Sequence, residues 1–406
     1  MGHSHGGGQP FEFAQRVTRA VWTIVGVCAV ATVIALVVLW PRDTTDTVDS
    51  ALVGSDPVAA QVVDREFVPC SFDPLLGCVD FTIVPSEGEF SGERLVLNQS
   101  LNTSIDDGDR ILVLIDRFDG STVTVSFFDF QRGTPMVMLL LGFVVVIVAF
   151  GGWRGVGALA GLVASLLVII TFALPALLAG SNSVAIALVT ASVIAFVALF
   201  LAHGVDVSTA VALISTLAAL LITGLLAWVF VWTSNFTGFA DESVGFLDVF
   251  GAAIDPRGLL LAGILIGSLG VLDDVTVTQV SAVVELRRAS PTDTVAELYR
   301  RGVRIGRDHI SSTVNTLFLA YAGAALPLML LFRQTGQGIG SVATREVVAV
   351  EIVRALVGSI GLVSAVPIST YLAALVATAR DDDAPISMVE PHADGTLEAE
   401  RPGGHV

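Results

Sequence analysis

The 406-residue chain contains no lysine, and all 21 of its basic side chains are arginine. Charged residues make up only 15% of the sequence, whereas 53% of the residues are hydrophobic. So little polar surface cannot cover so large an apolar volume, which excludes an ordinary water-soluble protein. The net charge of −17 is spread over solvated ends and loops, and no nucleic-acid partner is expected. The composition predicts a polytopic α-helical membrane protein whose first partner is the lipid bilayer.

Familiar catalytic motifs are missing as well. The apolar segments contain no HExxH and no GxSxG, and Asp274 lacks the second acid of the GxGD-type pattern of membrane aspartyl proteases. His203 and His309 are too far apart in the sequence to indicate a metal site, and His3 and His5 lie in a Gly-rich end with too few ligands for one. We therefore expect no enzyme activity, no metal and no cofactor.

Apolar runs long enough to cross a bilayer occur eight times. A helix needs roughly 20 residues to span the hydrocarbon core. The predicted transmembrane helices are 20–40, 135–152, 157–179, 183–203, 207–233, 258–284, 313–332 and 347–377. They divide the chain into a tail (1–15), an N-terminal anchor (16–41), a segment between spans (42–133), a seven-helix membrane domain (134–379) and an acidic tail (380–406) with the composition of disorder.

The arginines set the orientation. Six of them lie between Glu285 and Asp308, and the positive-inside rule places this segment in the cytoplasm, together with both termini. Segment 42–133 carries 17 acidic residues against 6 arginines and lies outside. We predict a multi-pass protein of a prokaryotic cell membrane. The arginine-rich segment is either a short amphipathic helix at the membrane surface, starting at a capping signal near Thr292, or a loop that only fixes the topology.

The external segment has the pattern of β-structure. Asp119-Gly120 between two β-rich runs is a hairpin signal. With three further runs, it predicts a small barrel or sandwich of about five strands. The runs are 61–67, 79–83, 94–98, 110–115 and 121–128.

Cys70 and Cys78 lie in this external segment. Oxidising surroundings there permit a disulfide between them, and the sequence leaves the bridge and two free thiols equally open. Cys28 lies in the first span and is expected to serve as a small apolar residue.

Polar side chains within the predicted spans mark the candidate functional site. A carboxylate in hydrocarbon is costly, so its presence indicates function. The sixth span carries the two adjacent acids, and the seventh adds an amide and a phenol. The candidates for transport or ion coupling are Asp273, Asp274, Thr276, Thr278, Gln279, Asn315 and Tyr321. The competing interpretation is that these residues only form interhelical hydrogen bonds that pack the helices.

The spacing of these groups gives two further expectations. Adjacent residues of a helix point about 100° apart, so Asp273 and Asp274 are expected to have different surroundings, one a cavity and the other a helix partner. Glu351 and Arg354 lie three residues apart near the outer end of the eighth span and are expected to form a structural ion pair. Small residues predict close helix approach in the sixth and eighth spans. They are Gly258, Gly263, Gly267, Gly270, Gly358 and Gly361.

Several blocks of the membrane domain resemble the YibE/F family of bacterial membrane proteins. The similarity runs from about 129 to 370 and preserves the order of the family's blocks. The blocks are Leu261–Val275, Ser281–Leu286, Gly302–Asp308, Thr313–Pro327 and Glu351–Gly361. The resemblance implies an integral multi-span protein with an inferred transport role. Family members usually have Met-Asp where this chain has Asp273-Asp274, so the resemblance assigns a shared role to Asp274 first.

Two functions fit these features. The first is a secondary transporter or exporter of an unknown small solute or ion, in which Asp274, together with Asp273, takes up and releases a proton or cation. The alternative is a non-transport scaffold or receptor that recognises a partner through the external β-rich domain. A homo-oligomer or a membrane partner is compatible with either function.

Overall fold

The computed structural model describes residues 11, 13–42, 56–70, 77–100, 104–118, 122–240, 242–249, 254–334, 336 and 338–379. A β-rich domain separates the N-terminal helix α1 (Gln15–Leu39) from a larger helical domain, against which α1 packs. The predicted turn at Asp119-Gly120, the predicted acidic tail, and His3 and His5 lie outside the described residues.

The β-rich domain expected from the sequence is confirmed. All neighbouring strands are antiparallel, in the order β3-β2-β1-β4-β5, and the edge strands β3 and β5 contact each other, so the sheet curls toward a barrel. The strands are β1 (Val58–Pro69), β2 (Gly77–Pro85), β3 (Leu95–Ser100), β4 (Arg110–Phe118) and β5 (Thr122–Phe130).

The core of this domain follows from the alternation of apolar residues along each strand. Phe81, Ile83 and Leu97 are among the side chains that point inward and are buried. The register of β1 shifts between Val62 and Asp64, as expected for a bulge that bends the strand. At the far end of the β1–β2 pair, Cys70 and Cys78 are joined by a disulfide.

In the part of the chain that the structure describes, ten further helices follow the sheet. They are α2 (Gly133–Val168), α3 (Leu174–Leu178), α4 (Ser183–His203), α5 (Val207–Thr233), α6 (Glu242–Val249), α7 (Pro256–Ala289), α8 (Val295–Ala324), α9 (Leu326–Gln334), α10 (Ile339–Ala343) and α11 (Glu346–Thr378). Among the described residues, six helical segments are long and apolar enough to cross a membrane, or seven if the bent pair α8 and α9 counts as one span.

Helix α2 bends sharply where the sequence predicts the boundary between two spans. Gly152 adopts φ +53°, a conformation that glycine enters without steric cost. A β-carbon on Gly155 would overlap the carbonyl oxygen of Ile147, although residues eight apart in a straight helix are separated by roughly 12 Å. The second arm continues through a π-helical turn (Ile169–Ala173) into α3.

Helix α8 replaces two elements that the sequence analysis separated. The arginine-rich segment and the predicted seventh span form one continuous helix, because nothing between them breaks the backbone hydrogen bonding. It begins with a capping box in which the Glu297 backbone N–H donates to the Thr294 side chain and the Thr294 backbone N–H donates to Glu297. The helix ends at a 56° bend into α9, next to Pro327, which has no N–H to continue it.

Helices α5, α7 and α11 pack against one another and form the centre of the helical domain. At Gly361 of α11, a β-carbon would overlap the Thr223 hydroxyl of α5, so this contact requires glycine. The expected close approach is absent at Gly263, Gly267 and Gly270, because no atom lies within 4 Å of a β-carbon added at any of them.

Replacing Gly361 with alanine is expected to destabilise the helical domain by about 1–3 kcal/mol, since the added methyl group forces α5 and α11 apart. The matched control is Gly358→Ala on the same helix, where the nearest atom, the Ser268 hydroxyl oxygen, lies 3.5 Å from the added carbon. Thermal unfolding of the purified protein in a neutral detergent measures both variants. Equal midpoints for the two variants would contradict this packing.

Candidate functional site

The candidate site is built around helix α7. Asp255 caps its first turn by accepting a hydrogen bond from the Arg257 backbone N–H at 3.2 Å, and Arg287 and Arg288 occupy its last turn. Asp273 and Asp274 follow 17 and 18 residues after Pro256, the first of the 34 residues in this helix. The two acids therefore lie midway along a helix that is apolar on most of its surface.

Asp273 sits beside a pair of buried threonines. The hydroxyl oxygens of Thr216 on α5 and Thr276 on α7 are 2.7 Å apart, and the Thr276 hydroxyl also donates to the Asp273 backbone carbonyl at 3.1 Å. The Asp273 carboxylate oxygen Oδ1 is buried without a hydrogen-bond partner among the described residues. Such a group is destabilising unless something else satisfies it.

Asp274 is exposed, yet both acids line one cavity of about 480 Å³ between the second arm of α2, α4 and α7. We call it the acidic cavity and define it by Asp273, Asp274, Thr278, Ser165 and His203 among its lining residues. The expectation of separate surroundings therefore holds only for burial. Both acids face the cavity because they belong to a single stripe of α7 that is wide enough for adjacent positions. The stripe comprises Ile266, Leu269, Gly270, Asp273, Asp274 and Val277.

A second cavity, of about 370 Å³, adjoins the acidic cavity at the end of α7 that carries its arginines. We call it the polar mouth and define it by Arg154, His203, Asp206, Glu285 and Arg288, which are among its lining residues. His203 and Val277 line both cavities. A polar route therefore leads from the charged end of the helices toward the two acids.

Gln279 is held in the packing between helices rather than facing the acidic cavity. Its amide nitrogen donates to the Gly302 carbonyl of α8 at 2.7 Å and to the Thr370 hydroxyl of α11 at 2.8 Å. Gly302 leaves room for this contact, since a β-carbon there would press on the Thr370 methyl group at 2.7 Å. Gln279 thus joins three helices, which is the packing role weighed for it in the sequence analysis.

The remaining sequence candidates lie elsewhere. Asn315 is exposed on α8 and is not among the residues that line the acidic cavity. Tyr321, Glu351 and Arg354 line a third cavity of about 1040 Å³ near the bend between α8 and α9, which Arg345 also lines. We call it the arginine cavity. The Arg354 guanidinium donates to Glu351 through Nη1 at 2.8 Å, whereas its buried Nε has no partner among the described residues.

The sequence analysis missed three residues at these sites. Ser165 and Arg345 each line a cavity, and Thr216 is hydrogen-bonded to Thr276 beside Asp273, but none of the three was singled out. His203 was considered only as part of a possible metal site with His309. A signal existed for Thr216, because Thr209, Thr216 and Thr223 recur every seven residues along α5 and are all buried. No comparable signal marks Arg345. Among the described residues, no three His, Cys, Asp or Glu side chains come together as a metal site.

Comparison with known proteins gives one match. Residues 139–379 match the family described as YibE/F-like protein. No curated protein and no solved structure matches the chain. The matched range contains the residues of all three cavities and leaves the β-rich domain outside.

Replacing Asp273 with asparagine is expected to stabilise the protein by about 1–2 kcal/mol, because a buried carboxylate oxygen without a partner is exchanged for a neutral group. The matched control is Asp274→Asn, which changes an exposed acid and is expected to leave stability unchanged. Thermal unfolding in neutral detergent at pH 8 compares the two. An unfolding temperature of Asp273→Asn at or below that of the wild type would contradict the unsatisfied state of this carboxylate.

Proposed function

This chain belongs to the YibE/F family, and from that premise we propose that it is a secondary transporter or exporter of the cytoplasmic membrane. In this proposal, Asp273 and Asp274 bind and release the coupling proton or cation. The transported species is a small solute or ion.

The membrane assignment is supported by length, composition and charge. Six helical segments among the described residues are long and apolar enough to span a bilayer. The surface of α2, for example, is largely apolar and exposed, and lipid would cover it. With the two arms of α2 crossing the membrane separately on either side of the bend at Gly152, a cytoplasmic start of α8 puts the β-rich domain and its Cys70–Cys78 disulfide outside, where disulfides persist.

The observation that carries the coupling role is the unpartnered Asp273 carboxylate oxygen beside the acidic cavity. Ionisable groups within membrane helices are rare and mark ion pathways. Thr216, Thr276 and Gln279 already form hydrogen bonds between helices. Packing of the helices does not require an acid whose oxygen has no hydrogen bond. A bound cation would supply the missing partner, and protonation would remove the buried negative charge.

The cavities also lie in positions that suit alternating access. The residues of α7 that line the acidic cavity and the polar mouth lie between Ile266 and Arg288, toward the side assigned to the cytoplasm. The arginine cavity lines its opposite end at Leu259 and Leu260. A rearrangement of α7 would therefore act on both sides of the membrane at once, as secondary transporters require.

The test is the content of ions and small metabolites in cells that lack the protein. Complementation with the wild type is expected to restore the solute that accumulates or is depleted, whereas Asp273→Asn and Asp274→Asn leave it at the level of the deletion. Mass spectrometry and elemental analysis of cells and medium provide the measurement. Asp116→Asn, on the exposed surface of β4, is the matched control and should restore transport.

Restoration by both cavity variants would contradict the coupling role. The polar helices would then be packing elements, and a receptor that acts through the β-rich domain would replace the transporter. Expression and membrane insertion of each variant are checked by immunoblotting of membrane fractions.

A further inference from the structure

We propose that the arginine cavity binds an amphipathic organic anion, that is, a carboxylate or phosphate attached to an apolar body. As a binding site, this inference stands on the cavity itself. The identification of the ligand as the transported substrate rests in addition on the transport function proposed above.

The cavity has the size of a ligand pocket. It forms where α8 bends by 56° into α9, so that the two helices diverge and leave space against the starts of α7 and α11. Its volume of about 1040 Å³ lies at the upper end of the range for sites that enclose small organic molecules.

The charges that line the cavity favour an anion. The described lining contains two guanidinium groups, Arg345 and Arg354, against one carboxylate, Glu351. Arg345 lies over the Phe332 ring at 5.1 Å and forms no ion pair with a described residue. The adjacent Glu346 forms no ion pair with it; its carboxylate instead accepts hydrogen bonds from the Thr237 and Gly238 backbone N–H groups, each at 2.7 Å.

Arg354 has unused hydrogen-bonding capacity. Nη1 donates to Glu351 at 2.8 Å, but the buried Nε–H has no acceptor among the described residues. A guanidinium group binds an oxyanion through two parallel hydrogen bonds when Nε takes part. An incoming carboxylate or phosphate that displaces Glu351 would therefore satisfy a donor that Glu351 leaves unpaired.

A purely structural ion pair does not account for these features. An i, i+3 pair contributes only a few tenths of a kcal/mol, and the two side chains here are each 31% exposed. It explains neither the unpaired Nε of Arg354 nor the second arginine at the same cavity.

The remaining walls select for an apolar body. They include Leu259, Leu260, Leu328, Leu331, Phe332 and Val350, and Tyr321 adds a hydroxyl group. Inorganic phosphate would leave most of this apolar surface without a partner, whereas an alkyl or aromatic group would bury it.

The experiment measures binding of n-hexyl phosphate to the purified full-length protein in an uncharged detergent by isothermal titration calorimetry. Wild type is expected to bind the probe, and Arg354→Gln to weaken binding about tenfold or more, because a charge-assisted contact is lost. Glu351→Gln is expected to tighten binding several-fold, since it removes the competitor for Arg354. Arg333→Gln, which changes an arginine of α9 outside the lining, is the matched control and should bind as the wild type does.

The two variants are expected to change the affinity for the probe in opposite directions, Glu351→Gln upward and Arg354→Gln downward. A purely structural ion pair would not give this result, because its loss from either side would change the affinity in the same direction. If Arg354→Gln does not fold, two other variants provide the same test. Arg345→Gln removes the second arginine of the cavity, and the double variant Glu351→Gln/Arg354→Gln removes both members of the ion pair, so that neither charge is left unpaired. Equal binding by the wild type and all arginine variants, or equal binding of uncharged n-hexanol, would overturn the proposal.

Two further experiments distinguish a lipid from a free solute as the ligand, and test the anion site independently of the proposed transport function. At an ionic strength that screens the surface charge, weaker probe binding in phosphatidylglycerol nanodiscs than in phosphatidylcholine nanodiscs would identify an anionic lipid headgroup as the ligand, and equal binding would identify a free solute. Asp273→Asn should bind the probe normally. Loss of transport in Asp273→Asn without any probe binding by the wild type would refute the anion site and leave the coupling role intact.

Discussion

Polar groups among apolar helices must satisfy one another, because no solvent is present to do so. The centre of this protein obeys that constraint at nearly every position. The hydroxyls of Ser215, Thr223 and Ser369 donate to carbonyls one turn earlier in their own helices, and Gln279 bridges three helices. Three described side chains depart from it with one buried atom each: the Asp273 carboxylate, the Arg354 guanidinium and the Thr190 hydroxyl. Asp273 and Arg354 line cavities, whereas Thr190 lines none of the three.

Much of the architecture could be predicted from local sequence. The five strands lie where β-rich runs and turn residues indicate them, since alternation and turn chemistry act over a few neighbouring residues. The long apolar helices follow from composition. The continuity of α8 was missed because the change from an arginine-rich to an apolar sequence resembles a boundary, although no helix breaker lies between Arg307 and Thr313. Change of environment and change of secondary structure are separate events.

The candidate site was predicted only in part. The acids were found because charge in an apolar run is visible locally, but their shared cavity follows from the stripe on α7, which the 100° argument for adjacent residues overlooked. Arg345, Arg354 and Tyr321 line the same cavity because α8 bends at its end. The spacing of residues within one helix cannot predict such a contact between separate helices. His203 gained its position between two cavities in the same way.

Helix α8 has one more consequence for how the molecule can work. Its 30 residues form a rod of about 45 Å from the capping box at Thr294 to the bend at Ala325. Gln279, about two turns of α7 from Asp273, donates a hydrogen bond to Gly302 near the capped end of this helix. Tyr321, near the other end, forms part of the arginine cavity. Because the Gly302 contact lies near one end of this helix, a small tilt of α8 about that contact would displace the cavity wall at Tyr321 by a larger distance.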